Sequence, residues 1–167
     1  MKNNNTKSLT AKIWKKDPRA ILPALSEPGS VGYDIYALED IKVFSGSTTY
    51  IRTGLVIQPP DGYFISIRSR SGLATRRLVV IPQGVGTIDP SFCGEEDELL
   101  VAFTMLPTIL MDANGISTLA KFQSPLEIHA GDRIAQMLFE KACLPKLLEV
   151  EGPPDQNSRG GFGSTGI

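Results

Sequence analysis

The sequence predicts an all-β domain, a jelly-roll-like sandwich or barrel, on three observations. Apolar and β-branched residues come in short runs, at 41–44, 48–57 and 62–68 for example. Turn formers separate those runs closely, with 16 Gly and 12 Pro in 167 residues. No stretch keeps helical apolar spacing long enough to make a long amphipathic helix. Many short strands with frequent turns are the pattern of a sandwich or jelly roll, and the length suits one domain with a real core.

The elements follow in chain order. Residues 1–8 are polar and read as a loose terminus. Residues 9–14 read as a first strand, Ala11 and Ile13 alternating with Lys12 and Trp14. Three prolines make 17–30 a loop. A glycine turn then leads into a short strand with Asp34 near its start. Residues 41–44, 48–57 and 62–68 are further strands, punctuated by Gly46-Ser47 and Pro59-Pro60-Asp61-Gly62. Residues 69–75 open a helical turn whose exposed amides suit an anion; a plain capped turn is the alternative.

Residues 78–81 and 99–103 read as strands, and the glycine-rich segment 84–95 as a tight hairpin-like turn between them. That turn carries Asp89 and, three residues on, Phe92. An acid beside a ring on such a turn suits a small planar ligand and a water; a plain β-turn with Asp89 as turn residue is the alternative. The acidic run 95–98 reads as a solvated turn. Asn114-Gly115 between apolar stretches marks an inserted hairpin, at about 104–123. Residues 129–132 form a turn, 133–140 a strand carrying Gln136, and 146–151 a last strand. The division expected is therefore a β domain over 1–151 and a mobile glycine-rich arm over 152–167. The arm's Arg159, Phe162, Ser164 and Thr165, with its free amides, suit a phosphate chain and a planar base.

Composition removes several function classes. The net charge is −1, so nothing general favours nucleic acid. Arg68, Arg70, Arg76 and Arg77 form a local cluster that could serve one polyanionic small molecule, or simply lie on a solvated surface. His129 is the single histidine and the two cysteines stand far apart. Zinc, a disulfide framework and a histidine-based nucleophile are all disfavoured, leaving a hard cation such as Mg2+. No apolar run spans a membrane and no signal peptide is evident, so a cytoplasmic location is expected.

Five segments, in order, resemble the five motifs of the trimeric dUTPase family (deoxyuridine triphosphate nucleotidohydrolases). They are Gly32-Tyr33-Asp34-Ile35-Tyr36-Ala37; Arg70-Ser71-Gly72-Leu73-Ala74; Gly86-Thr87-Ile88-Asp89 through Gly94; Gly131-Asp132-Arg133-Ile134-Ala135-Gln136; and Arg159-Gly160-Gly161-Phe162-Gly163-Ser164-Thr165-Gly166. The resemblance implies a jelly-roll homotrimer whose active sites lie between subunits, closed by the C-terminal arm. It implies hydrolysis of dUTP to dUMP and pyrophosphate, which limits uracil in DNA and supplies dUMP for dTMP synthesis. Asp89 would activate the water attacking the α-phosphorus. Arg70, Ser71, Gly72, Gln136, Arg159, Gly163, Ser164 and Thr165 would bind phosphates. Gly84, Gly86, Ile88, Asp89, Phe92 and Phe162 would hold uracil and deoxyribose. Mg2+ would be carried mainly by the triphosphate, with Asp34 near it through water.

The sequence also departs from the family pattern. Ser91 and Phe92 stand where a second acid and a tyrosine are usual. Arg159 stands three residues before Phe162, not five. Two rival readings remain at this level. One is a dCTP deaminase, alone or combined with dUTP hydrolysis, for which Glu98 is the candidate proton mover. The other is a catalytically silent dUTP-binding regulatory protein.

Overall fold

The computed structural model describes residues 9–111, 117–121 and 124–154. The fold is built on a five-stranded antiparallel sheet. Its strands, in spatial order, are β2 (Ala24–Leu25), β3 (Tyr33–Tyr36), β14 (Arg133–Lys141), β7 (Tyr63–Ser69) and β9 (Gly86–Ile88). A three-stranded sheet is ordered β5 (Thr48–Arg52), β10 (Leu100–Met105) and β8 (Val79–Val80). Three further antiparallel pairs lie among the described residues. They are β1 (Lys12–Lys15) with β6 (Leu55–Gln58), β4 (Ile41–Val43) with β13 (Leu126–Ile128), and β11 (Thr108–Met111) with β12 (Ser117–Lys121). One short helix, α1 (Ser71–Arg77), follows β7.

Alternation along the strands assembles one core. The large sheet contributes Ile35, Ile65, Ile67, Ile134, Ala135 and Met137, and the three-stranded sheet Ile51, Val79, Val101, Phe103 and Met105. Strand β6 breaks the alternation: Leu55, Val56 and Ile57 are all buried, as expected of a strand covered on both faces. Each Val, Leu, Ile, Phe or Met side chain of the core is worth about 1.5–3 kcal/mol of burial.

Five expectations need correction. Residues 17–30 are not loop throughout, because Ala24 and Leu25 form β2 and pair with Asp34 and Tyr33 of β3. Residues 48–57 form two strands. The chain breaks at Thr53-Gly54, where Gly54 takes a φ of 69° and Thr53 Oγ1 donates to the carbonyl of Leu99 at 2.7 Å. Residues 84–95 do not make a tight hairpin-like turn. Strand β8 does pair with β10, but the segment between them crosses to the large sheet and adds β9 to the edge of β7. The acidic run is not simply solvated. Glu98 is held by Arg52 and accepts from the Gly54 N–H at 2.8 Å, Asp97 accepts from the Gly94 N–H at 2.7 Å, and Glu96 pairs with Lys16. Finally, residues 146–151 form no strand. The apolar side chains around them lie open, with Leu144, Leu147 and Leu148 at 91%, 89% and 79% exposure. Their pattern reads as a strand, but no edge among the described residues receives it.

Candidate active site

One cavity, of about 560 Å³, is lined by Arg70, Ser71, Gly72, Leu73, Arg76, Arg77 and Gln136. Local structure explains why these residues meet. Strand β7 ends at Ser69, Arg70 keeps an extended backbone as the helix N-cap, and α1 then carries Ser71 to Arg77 beside the sheet. Leu78 stops the helix in a left-handed conformation, φ 52°. Gln136 lies in the middle of β14, the central strand, paired with Asp34 on one side and Arg68 on the other. Its side chain lies over Gly32, where an added Cβ would come within 3.3 Å of the Gln136 Cβ. Three guanidiniums, a hydroxyl and an amide around one open cavity make a cradle for a polyanion.

Behind the cradle sits Asp34, 1% exposed. Arg133 Nη1 donates to its Oδ2 at 3.3 Å. Its Oδ1 makes no hydrogen bond, and Arg70 Nε faces it at 3.5 Å in an ion pair. Arg70 Nη1 in turn donates to the backbone carbonyl of Arg133 at 3.1 Å. The described residues contain no cluster of three or more His, Cys, Asp or Glu that could cage a metal ion. Asp34 thus faces two arginines and does not head a ligand set. The fit for magnesium is that of an ion brought in on a phosphate chain, without a protein cage of its own.

Asp89 and Phe92 lie elsewhere on the chain. Strand β9 pairs antiparallel with β7, Ile88 opposite Ile65 and Gly86 opposite Ile67. Asp89 therefore leaves the sheet beside the start of β7, whereas Arg70 stands past its end. At about 3.3 Å per residue the two are separated by roughly 20 Å along the strand. Asp89 is exposed, and Phe92, 40% exposed, follows in a turn closed by its own N–H donating to the Asp89 carbonyl at 3.0 Å. Strand β9 is the edge of its sheet, so among the described residues the Gly86–Ile88 backbone is paired on one side only. Its outer edge is free to present donors and acceptors to a flat ligand.

The structure thus brings Arg70, Ser71, Gly72 and Gln136 together, with Asp34 behind them, and sets Gly84, Gly86, Ile88, Asp89 and Phe92 apart as a second group. Arg159, Phe162, Gly163, Ser164 and Thr165 lie outside the described residues. In the sequence Arg76 and Arg77 read only as part of a charged cluster, and Arg133 carries no signal beyond its place in a matched segment.

The chain is similar to known proteins over nearly all of its length. The dUTPase family model matches residues 18–105 and 100–166. The deoxyuridine 5'-triphosphate nucleotidohydrolase of Thermobifida fusca (strain YX) is 32% identical over 160 residues, 95% of this chain and 80% of that protein. That of Mycobacterium leprae (strain Br4923) is 34% identical over 165 residues, 95% of this chain and 96% of that protein. Among solved structures, a point mutant of the Staphylococcus bacteriophage 80alpha dUTPase with dUpNHpp superposes with a TM-score of 0.74 at 24% identity, over 95% of this chain and 99% of that one. A point mutant of the dUTPase of phage phi11 of S. aureus, described with a structural Mg(II) ion, gives 0.68 at 23% identity over 86% and 97%. These structural likenesses speak for a shared jelly-roll fold. With the family model covering most of its length and curated relatives above 30% identity across nearly all of it, the chain belongs to the dUTPase family.

Proposed function

We infer that the protein is a dUTP diphosphatase, a hydrolase that converts dUTP to dUMP and pyrophosphate. The observation that carries the chemistry is the arginine-rich cradle of Arg70, Ser71, Gly72 and Gln136 together with membership of the family. In this reading the cradle holds the phosphate chain, and Asp89 activates the attacking water. The free edge of β9 reads the uracil, and Phe92 packs on the deoxyribose and leaves no room for a 2′-hydroxyl. Magnesium, travelling on the triphosphate, neutralises its charge and sets the α-phosphorus for attack. Arg159, Phe162, Gly163, Ser164 and Thr165 close the site from the arm, the division at about residue 152 being part of the proposal. Supply of dUMP and exclusion of uracil from DNA follow from that reaction.

The roughly 20 Å between Asp89 and the cradle supports a site shared between subunits. A homotrimer in which one copy gives the cradle and a neighbour gives Asp89 brings the two groups together. The open leucines at 144, 147 and 148 favour the same conclusion, since large exposed apolar groups mark contact surfaces. The deaminase alternative loses support, because Glu98 is committed to Arg52 and the Gly54 amide. No described helix is long and apolar enough to cross a membrane; a cytoplasmic location is part of the proposal. The test is to incubate the protein with magnesium and, separately, dUTP, dCTP, dTTP and UTP, following pyrophosphate, monophosphate and ammonia. Pyrophosphate and dUMP from dUTP alone are expected. Ammonia from dCTP, or binding of dUTP with no turnover, would overturn the reading.

A further inference from the structure

We propose that Arg133 is a positioning residue, which shares the Asp34 carboxylate so that Arg70 keeps its positive charge for the phosphate chain. The inference rests on the reading of the cradle given above. Asp34 is 1% exposed and is met by two guanidiniums, Arg133 Nη1 at 3.3 Å and Arg70 Nε at 3.5 Å. Only Arg70 of the two lines the cavity. Two cations around one buried anion leave one net positive charge, and that charge faces the cradle through Arg70. With Arg133 neutral, Asp34 would draw Arg70 back and cancel it, because a buried charge takes whatever partner is within reach. The bond from Arg70 Nη1 to the Arg133 carbonyl, 3.1 Å, fixes the other branch of the fork. That bond uses backbone and survives substitution of the Arg133 side chain.

The mechanism predicts a rescue that a merely structural role does not. Arg133→Gln is expected to raise the KM for dUTP and weaken binding of inorganic pyrophosphate by about tenfold, with kcat changed by less than about threefold. Adding Asp34→Asn removes the anion that captures Arg70. The double variant is expected to recover most of the affinity for pyrophosphate, measured by calorimetry. A double variant that binds no better than Arg133→Gln overturns the proposal. If Arg133→Gln fails to fold, Arg133→Lys keeps the charge and is expected to bind pyrophosphate within about threefold of the parent; a loss of about tenfold there also overturns it. Failure of the parent protein to hydrolyse dUTP would sink the functional reading instead, while the pyrophosphate comparison would still decide the charge-sharing one.

Discussion

Gly86 couples the core to the second group of site residues, and Gly86→Ala tests that coupling. Gly86 is buried in β9, opposite Ile67 of β7. Its φ is not positive, so alanine can adopt the backbone; the obstacle is space. A Cβ there would lie 3.2 Å from the Ile67 Cβ and 3.7 Å from its Cγ1. The near atom is a Cβ, so no rotamer change relieves the clash, and the two strands must part by a few tenths of an ångström. Overpacking of this kind costs about 1–3 kcal/mol, offset by about 0.5–1 kcal/mol from removing a strand glycine. The net loss of about 1–2 kcal/mol corresponds to a fall in Tm of roughly 2–8 °C for a chain of this size. Asp89 stands directly after β9, so the same shift moves the proposed base. A misplacement of about 1 Å can cost about a hundredfold in rate, so a few tenths should cost about three- to tenfold in kcat. Calorimetry and a pyrophosphate-release assay give both numbers. A Tm within about a degree of the parent, with kcat within about twofold, would refute the argument.

Three other outcomes follow from the structure. Glu98→Ala strips the partner from the Gly54 N–H and from Arg52. Arg52 is 41% exposed, so the orphaned amide dominates, and urea titration should show a loss of about 1–3 kcal/mol; a change below about 0.5 kcal/mol would contradict it. Asp17 is held at a pKa of about 2 by the Arg19 side chain and then by the Arg19 backbone N–H, against an ordinary 3.8. Glu140 is lowered by Ser66 and then Arg68, and Glu127 by Lys42. Folded values below unfolded ones mean stability that is present above the unfolded pKa and lost as pH falls through the folded one. Tm should therefore drop as pH falls from about 4 toward 2, less steeply in Asp17→Asn; equal slopes would count against the assignment. Phe92→Ala should narrow the preference for dUTP over UTP by about tenfold or more in kcat/KM, and an unchanged ratio would remove the ring from sugar selection.

The all-β class was legible from short β-branched runs set between turn formers, and β10 alternates in burial as a half-buried strand should; the alternation expected at 64–68 fails at Ser66, which is buried with Ile65 and Ile67 and donates to Glu140. The hairpin around Asn114-Gly115 was legible from its turn chemistry: β11 and β12 pair as expected, the turn itself lying outside the described residues. What stayed hidden was partnership. Residues 84–95 carry the glycines of a tight turn, yet Gly86–Ile88 pairs with β7, a choice made by the edge that was available and not by local propensity. Residues 48–57 look continuous because a break at Gly54 depends on what surrounds it, Asp17 and Ala20 among others. The Glu95–Glu98 run looked solvated because nothing local reveals that Arg52 and Gly54 await Glu98. The cradle residues were readable by resemblance, whereas Arg133 became visible only once its distance to Asp34 was known.

The central claim is that Asp89 directs water at the α-phosphorus of dUTP, and hydrolysis in water labelled with heavy oxygen tests it most directly. The account predicts that the label enters dUMP and not pyrophosphate, and that Asp89→Asn lowers the rate by about a hundredfold or more while dUTP still binds. Label in the pyrophosphate, or an Asp89→Asn variant that turns over at the parent's rate, would contradict it.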